Sequence, residues 1–244
     1  MDARASGIAV GLASGWLDLD RLTGGLQDGE LIVLASRPSI GKTALGLCLA
    51  LQAAMAGKAV FFASLEQSRI ELAERLLCNR ARVDSLKLRN NWLSAEERAR
   101  LQQAHRELRT LPVHIDDTAH QSMLRIGGNA RRLKLRHNIR LVVIDYLQLI
   151  DPEDRKAPRQ EQVAGISRRL KGLARELGVP VLALAQLNRG VEARQGERPR
   201  LSDLRESGEI EQAANQVTFV VRPEIFGKQT ITIGSGDLAV EHPT

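Results

Sequence analysis

Short apolar runs alternate along this chain with segments of helical periodicity. The runs are LIVLAS (31–36), AVFFAS (59–64), VHID (113–116), LVVID (141–145), PVLALAQ (180–186) and QVTFVV (216–221). Most lack the alternation of polar and apolar residues that marks a strand with one solvated face. The order β-α-β-α-β-α-β-α-β therefore predicts an α/β fold, with a mostly parallel β-sheet and helices on both faces.

The segments between these runs carry helix signals. They predict helices over 42–56, near 68–79, from the capping box SAEE (94–97), over 121–137 and over 160–177. The last is the clearest, because its apolar residues recur at helical spacing. Residues 151–159 and 188–200 are polar and rich in Arg, so we predict irregular structure there. The final segment, GKQTITIGSGDLAVEHPT, predicts a hairpin and a short tail.

The loop SRPSIGKT (36–43) joins the first apolar run to the first helix. It ends like the phosphate-binding pattern G-x-x-x-x-G-K-[ST], but Ser36 holds the first glycine's place. That place needs a small, turn-compatible residue, which serine is. Gly41 permits a tight backbone approach, Lys42 can reach the β- and γ-phosphates, and the Thr43 hydroxyl can bind Mg²⁺. The competing interpretation, a chance GKT in an ordinary turn, is less favoured by a strand before and a helix after.

Three polar residues end or closely follow other predicted strands, where open α/β sheets bind ligands. Asp145 closes LVVID and predicts a carboxylate that holds Mg²⁺. Glu66, in SLEQ, is a candidate general base, although a surface glutamate opening a helix fits equally well. Gln186 can orient water or the γ-phosphate, and otherwise is a polar strand end. We predict that ATP and Mg²⁺ bind here, with the nucleotide contacted by Arg37, Ser39, Gly41, Lys42 and Thr43.

Five longer stretches, in order along the chain, resemble one known family. They are SGWLDLDRLTGGLQDGELIVLASRPSIGKTALGLCLA, FFASLEQ, LVVIDYLQLI, GISRRLKGLARELGVPVLALAQLNR and RPRLSDLRESGEIEQAANQVTFVVRPE. Together they resemble the C-terminal motor domain of DnaB-type replicative helicases, a branch of the RecA-like P-loop ATPases. The resemblance covers about residues 14 to 224. DYLQLI, AQLNR and SDLRESGEIEQAAN are the stretches most specific to the helicases.

The resemblance implies a homo-hexameric ring around single-stranded DNA, with ATP between subunits and hydrolysis driving unwinding. Glu66 takes the role of catalytic base, Asp145 that of the Walker B carboxylate and Gln186 that of γ-phosphate sensor. The DNA-facing loop corresponds to residues 203–208, with Arg205, Glu206 and Gly208 as the DNA-binding residues. A helicase loader is a further implied partner.

The chain departs from the family at both ends. Residues 1–13 form an N-terminal segment ahead of the motor (14–244), where the family has a helical domain that binds primase, so primase binding is in doubt. Near the end, GKQTITIG matches the family's basic motif only at Lys228, with Thr230 in the place of the arginine finger. The closing strands of the motor are expected to be truncated. A RecA-like filament ATPase on single-stranded DNA and a degenerate nucleotide-binding remnant with little turnover remain alternatives.

Charge and composition restrict the partners further. The net charge is +6 and the isoelectric point about 9.8, which favours polyanionic partners such as nucleic acid. Cys48 and Cys78 lie in apolar helical patterns and are expected to be buried thiols. No signal peptide and no bilayer-spanning run is evident, so the expected location is cytoplasmic, without a membrane partner.

Overall fold

The structure, a computed structural model, describes residues 10–188, 199–204, 207–222, 230–233 and 240–243. Within those residues no helix is long and apolar enough to cross a membrane.

A six-stranded sheet with the order β3-β2-β4-β5-β1-β6 forms the centre of the domain. Its strands are β1 (Leu31–Ser36), β2 (Val60–Ser64), β3 (Val113–Asp116), β4 (Leu141–Asp145), β5 (Val181–Gln186) and β6 (Gln216–Phe219). Every neighbouring pair is parallel, which confirms the predicted parallel sheet. All residues of β1, β2 and β4 are buried, as expected for strands covered on both faces.

Eight α-helices accompany the sheet in the described part of the chain. They are α1 (Leu17–Thr23), α2 (Lys42–Met55), α3 (Arg69–Ala81), α4 (Ser85–Arg89), α5 (Ala95–Leu108), α6 (Met123–His137), α7 (Arg159–Leu177) and α8 (Ser207–Ala213). Sequence analysis anticipated the five long ones to within a few residues. It missed α1, α4 and α8, which have five to seven residues and are too short for helical periodicity to show.

The helices cover both faces of the sheet, as predicted. The successive residues Phe61 and Phe62 point to opposite sides, because side chains alternate along a strand. Phe61 joins a core that includes residues of α6, α7 and α8. Phe62 joins a second core that includes residues of α2 and α3. A smaller cluster between α3 and α5 extends the second side.

Backbone pairing occurs at both ends of the described chain. Gly11 donates its N–H to the carbonyl of Gly24, and Leu12 forms an antiparallel bridge with Leu26. Residues 11 and 12 are therefore paired with the segment that follows α1. Near the other end, β7 (Thr230–Ile233) and β8 (Val240–Pro243) pair antiparallel, which confirms the predicted hairpin.

Both cysteines are free thiols. Cys78 is buried as expected, whereas Cys48 is half-buried and its sulfur lies 3.6 Å from the side-chain nitrogen of Asn79.

Candidate nucleotide-binding site

The candidate site lies at the carboxyl ends of four neighbouring strands, β2, β4, β5 and β1. The register places Ser64 opposite Asp145 and Ser36 opposite Gln186. Ligands of open α/β sheets bind at this edge. The polar residues that the sequence distributes over more than a hundred positions therefore come together at one edge of the sheet.

The loop between β1 and α2 has the backbone that its sequence predicts. Ser36 is buried, and its hydroxyl donates to the carbonyl of Arg37 at 2.8 Å, so serine at the first position is accommodated. Gly41 has a φ of 115° and precedes the first turn of α2. Residues with a side chain rarely adopt this φ, so the backbone conformation favours glycine, and since a Cβ there would meet no atom within 4 Å, the space before the helix is open. Helix N-termini with free N–H groups bind phosphate.

The side chains of Thr43, Lys42 and Asp145 form a close cluster beside that loop. The Thr43 hydroxyl donates to Asp145 Oδ2 at 2.6 Å, and Lys42 Nζ lies 3.4 Å from Asp145 Oδ1. Asp145 is fully buried, and its Oδ1 has no hydrogen-bond partner among the described residues. A buried carboxylate oxygen that has the Lys42 ammonium beside it, at 3.4 Å, and that lies next to a hydroxyl is part of a donor set that fits Mg²⁺. The peptide bond that follows Asp145 is cis.

Lys42 is held against two groups at the base of the site. Its ammonium lies 4.1 Å from the centre of the Tyr146 ring, as well as beside Asp145. Burial lowers the pKa of Lys42 below its ordinary value, although Asp145 and Glu66 act in the opposite direction. A partly desolvated cation gains from a further anionic partner, and a phosphate would supply one.

Glu66, just after β2, and Gln186, at the end of β5, are the other two predicted site residues at this edge of the sheet. Glu66 is exposed just beyond β2, and the next residue back, Leu65, donates its N–H to the carbonyl of Asp145 at 2.7 Å. Gln186, the last residue of β5, is partly buried. Its backbone N–H and carbonyl are both 3.2 Å from the side-chain amide of Gln148.

Sequence reasoning missed Gln148. The available signal was one amide in the otherwise apolar run that follows Asp145. Arg37, predicted to bind nucleotide, donates from Nη1 to the carbonyl of Leu187 at 2.8 Å, so its guanidinium reaches the end of β5.

The segment predicted to face DNA begins inside the fold. Asp203 and Leu204 are buried; Leu204 bridges Leu187, and the carbonyl of Asp203 accepts the N–H of Asn188 at 2.9 Å. Gly208 is exposed in the first turn of α8. Arg205, Glu206 and Lys228 lie outside the described residues, and the backbone of Thr230 starts β7.

The sheet is parallel with helices on both faces, and a glycine loop leads from its first strand into a helix. An aspartate at a strand end lies beside the lysine and threonine of that loop. These features define a RecA-like P-loop domain. The family model described as DnaB-like helicase C terminal domain matches residues 11–241. The chain belongs to that family.

Similar proteins agree with this assignment. The chain is 43% identical over 226 residues to the replicative DNA helicase DnaC of Bacillus subtilis and to the replicative DNA helicase DnaB of Geobacillus stearothermophilus. Each alignment covers 92% of this chain and 50% of the relative, so the chain spans about half the length of these curated relatives.

Two solved structures have the same fold. One, described as an ATPase domain, superposes with a TM-score of 0.87 at 38% identity, covering 91% of this chain and 79% of that one. A DnaB-like replicative helicase, studied with its interactions with primase, superposes with a TM-score of 0.89 at 35% identity. That match covers 99% of this chain and 60% of the other.

Proposed function

We propose that this domain is the ATP-dependent motor of a replicative DNA helicase, which moves along single-stranded DNA and unwinds duplex as a hexameric ring. The observation that carries the proposal is the cluster of Lys42, Thr43 and Asp145 at the carboxyl edge of the sheet. Membership in a family of replicative helicase domains narrows a general nucleotide site to this task.

The residues of this cluster would share the work of binding ATP and Mg²⁺. Thr43 Oγ1 and the carboxylate of Asp145 would hold the ion, which when bound neutralises charge on the phosphate oxygens. Lys42 would move its ammonium from Asp145 to the β- and γ-phosphates. The N–H groups around Gly41 would cradle the phosphates, with Ser39 and Arg37 at the rim.

Glu66 and Gln186 would act on the attacking water and the γ-phosphate. Glu66 is exposed at the strand edge next to Asp145, where a carboxylate can accept a proton from water. Gln186 would orient the γ-phosphate from β5. Gln186 is placed by the end of β5, whereas Glu66 lies two residues beyond the end of β2.

DNA binding and assembly complete the proposed motor. Arg205, Glu206 and Gly208 would contact the DNA backbone, which suits tracking without sequence preference. A neighbouring subunit would close the nucleotide site, with Lys228 as the candidate group that reaches across. A loader and primase are proposed partners of the whole protein, and primase appears in the description of one structural relative.

The two other candidates differ from the motor in measurable ways. A filament ATPase would form open helical assemblies, because a head-to-tail interface need not close into a ring. A nucleotide-binding remnant would bind ATP without appreciable turnover. This candidate is considered because a threonine stands in the place of the arginine finger. Electron microscopy with ATP and DNA distinguishes ring from filament, and the ATPase rate identifies a remnant.

The test is ATP hydrolysis with and without single-stranded DNA, together with unwinding of a forked duplex. We expect Lys42→Ala to lose both activities, because the phosphates lose their buried cation. Lys58→Ala is the matched control, since Lys58 is exposed in the turn after α2. Unwinding by Lys42→Ala, or a wild-type protein that does not hydrolyse ATP, would rule out the motor.

A further inference from the structure

The ladder between β4 and β5 ends before β5 does. The last paired residues are Ile144 and Ala183, whereas β5 continues to Gln186. On its other side β5 stays paired with β1 through Ser36 and Gln186. The end of β5 therefore has a neighbouring strand on one side only.

The backbone of Gln186 faces the unpaired side. Leu187 donates its N–H to the carbonyl of Ser36 in β1, at 3.0 Å. Consecutive residues of a parallel strand direct their N–H and carbonyl groups to opposite neighbours. Gln186, one residue earlier, therefore directs both groups towards β4, where no strand residue is in register to receive them.

The side chain of Gln148 fills this gap. Its Oε1 accepts the N–H of Gln186 at 3.2 Å, and its Nε2 donates to the carbonyl of Gln186 at 3.2 Å. An amide is suited to this pairing because it carries one acceptor and one donor, as a strand residue does. The side-chain amide of Gln148 thus takes the place of one residue of the missing ladder.

The backbone around Gln148 is held by a buried neighbour and by a hydrogen bond from α7. It lies in the 3₁₀ turn Leu147–Leu149, three residues after Asp145, and Leu147 is fully buried. Arg159, the first residue of α7, donates from Nη2 to the carbonyl of Gln148 at 2.5 Å. The turn that follows Asp145 therefore carries the amide that holds the end of β5.

We propose that Gln148 is a positioning residue for ATP hydrolysis, which acts by locking the backbone of Gln186 to the turn after Asp145. The inference rests on the proposed function, since it assigns Gln148 to the placement of the γ-phosphate sensor relative to the magnesium-binding carboxylate. Without this link the end of β5 can shift relative to β4. Small displacements of a group that acts on the transition state lower the rate strongly.

The decisive variants are Gln148→Ala and Gln148→Glu, with Gln102→Glu on the exposed face of α5 as the matched control for added charge. We expect Gln148→Ala to lower kcat for ATP about tenfold or more, with KM within about twofold, because the phosphate loop is untouched. Gln102→Glu keeps the wild-type kcat and KM.

The pH profile of Gln148→Glu tests the amide pairing itself. An ionised carboxylate accepts the Gln186 N–H but opposes the Gln186 carbonyl, whereas a protonated carboxyl donates to that carbonyl. Partial burial and the opposing carbonyl favour the protonated form of the introduced carboxyl, whereas the Arg159 guanidinium, which donates to the backbone carbonyl of residue 148, acts in the opposite direction. We therefore expect kcat relative to wild type to be low at pH 8 and to recover as the pH falls towards 5.5.

Hydrogen exchange of the peptide 181–188 gives a readout that does not need turnover. We expect faster exchange in Gln148→Ala than in wild type, and wild-type exchange in Gln102→Glu. Unchanged exchange with unchanged kcat in Gln148→Ala would overturn the inference. The inference would also be overturned if Gln148→Glu lowered kcat by the same factor as Gln148→Ala at every pH. A simple loss of packing would give that result. A wild-type protein without ATPase activity would instead defeat the proposed motor, while exchange would still decide whether the link exists.

Discussion

Thr43 and Asp145 form a short, buried contact in the candidate site. The hydroxyl–carboxylate contact is 2.6 Å long, and Asp145 is inaccessible to solvent. A buried carboxylate needs donors, since an unsatisfied one is costly. The Thr43 hydroxyl therefore stabilises the fold before any metal binds, in addition to its proposed role as a magnesium ligand.

Replacing Thr43 with Val tests both roles, because Val keeps the shape and removes the hydroxyl. We expect Thr43→Val to lower the free energy of unfolding by about 1–3 kcal/mol without nucleotide, and to lose Mg²⁺-dependent ATP hydrolysis. Urea unfolding and an ATPase titration with Mg²⁺ measure the two effects. Thr43→Ser retains the hydroxyl and is expected to lose little of either. Equal stability of the Val variant and wild type would show that the contact does not support the fold.

At the scale of elements, α3 and α5 begin with the same device. In each, an N-cap serine accepts an N–H from a glutamate three residues on, and the glutamate side chain accepts the serine N–H. The box at Ser94 and Glu97 was evident in the sequence, because the residue types and their spacing specify it. Lys87, from α4, adds a contact that the sequence did not reveal, with Nζ 2.8 Å from Glu97 Oε1.

Glu97 is expected to make the free energy of unfolding depend on pH in the acidic range. The Lys87 ammonium and the Ser94 N–H lower the pKa of Glu97 to about 2. A lowered folded-state pKa means that Glu97 stabilises the fold above its ordinary pKa, near pH 4.5, and that this stabilisation is lost as the pH falls from there towards 2.

Urea midpoints at pH 7, 4 and 3 measure this effect. Glu97→Gln is expected to have a lower urea midpoint than wild type at pH 7. The difference between the two midpoints is expected to be smaller at pH 3. Glu96→Gln is the control, since the Glu96 side chain is 85% exposed and its nearest cation, Arg100, is 4.0 Å away. A constant difference between Glu97→Gln and wild type at all three pH values would contradict the assigned pKa.

At the scale of the whole molecule, one sheet separates two cores and carries the site at one edge. The segment that leaves β5 at this edge pairs with the segment that leads into α8, through Leu187 and Leu204. The residues predicted to contact DNA follow directly after Leu204. Leu204, the residue before the proposed DNA contact, is therefore paired with Leu187, the residue that follows Gln186.

Arg205 is expected to contribute to DNA binding without building the nucleotide site. We expect Arg205→Ala to weaken binding of a labelled oligo(dT), to reduce the salt dependence of that binding and to remove most of the stimulation of ATPase by DNA. ATPase activity without DNA should be retained. Fluorescence anisotropy at several salt concentrations measures the binding. Arg136→Ala, which removes the same charge from the exposed side of α6, should bind as wild type. Equal losses in both variants would indicate a general effect of charge.

The sequence by itself determined the local elements and the residue types of the site. Apolar runs, helical periodicity and caps depend on neighbours along the chain, so the strands, the five long helices and the loop around Gly41 followed from pattern alone. Asp145 and Gln186 were predicted as site residues because each ends a strand, and Glu66 because it follows one, since parallel strands bring such ends to one edge.

Only the tertiary structure decided which of these residues touch. The contacts between Thr43 and Asp145, Lys42 and Tyr146, and Gln148 and Gln186 join different elements, so their geometry depends on the register and splaying of the strands. Gln148 shows this most clearly, because its amide matters only where β4 and β5 separate. No local pattern encodes that separation, since it results from packing the whole sheet between its two layers of helices.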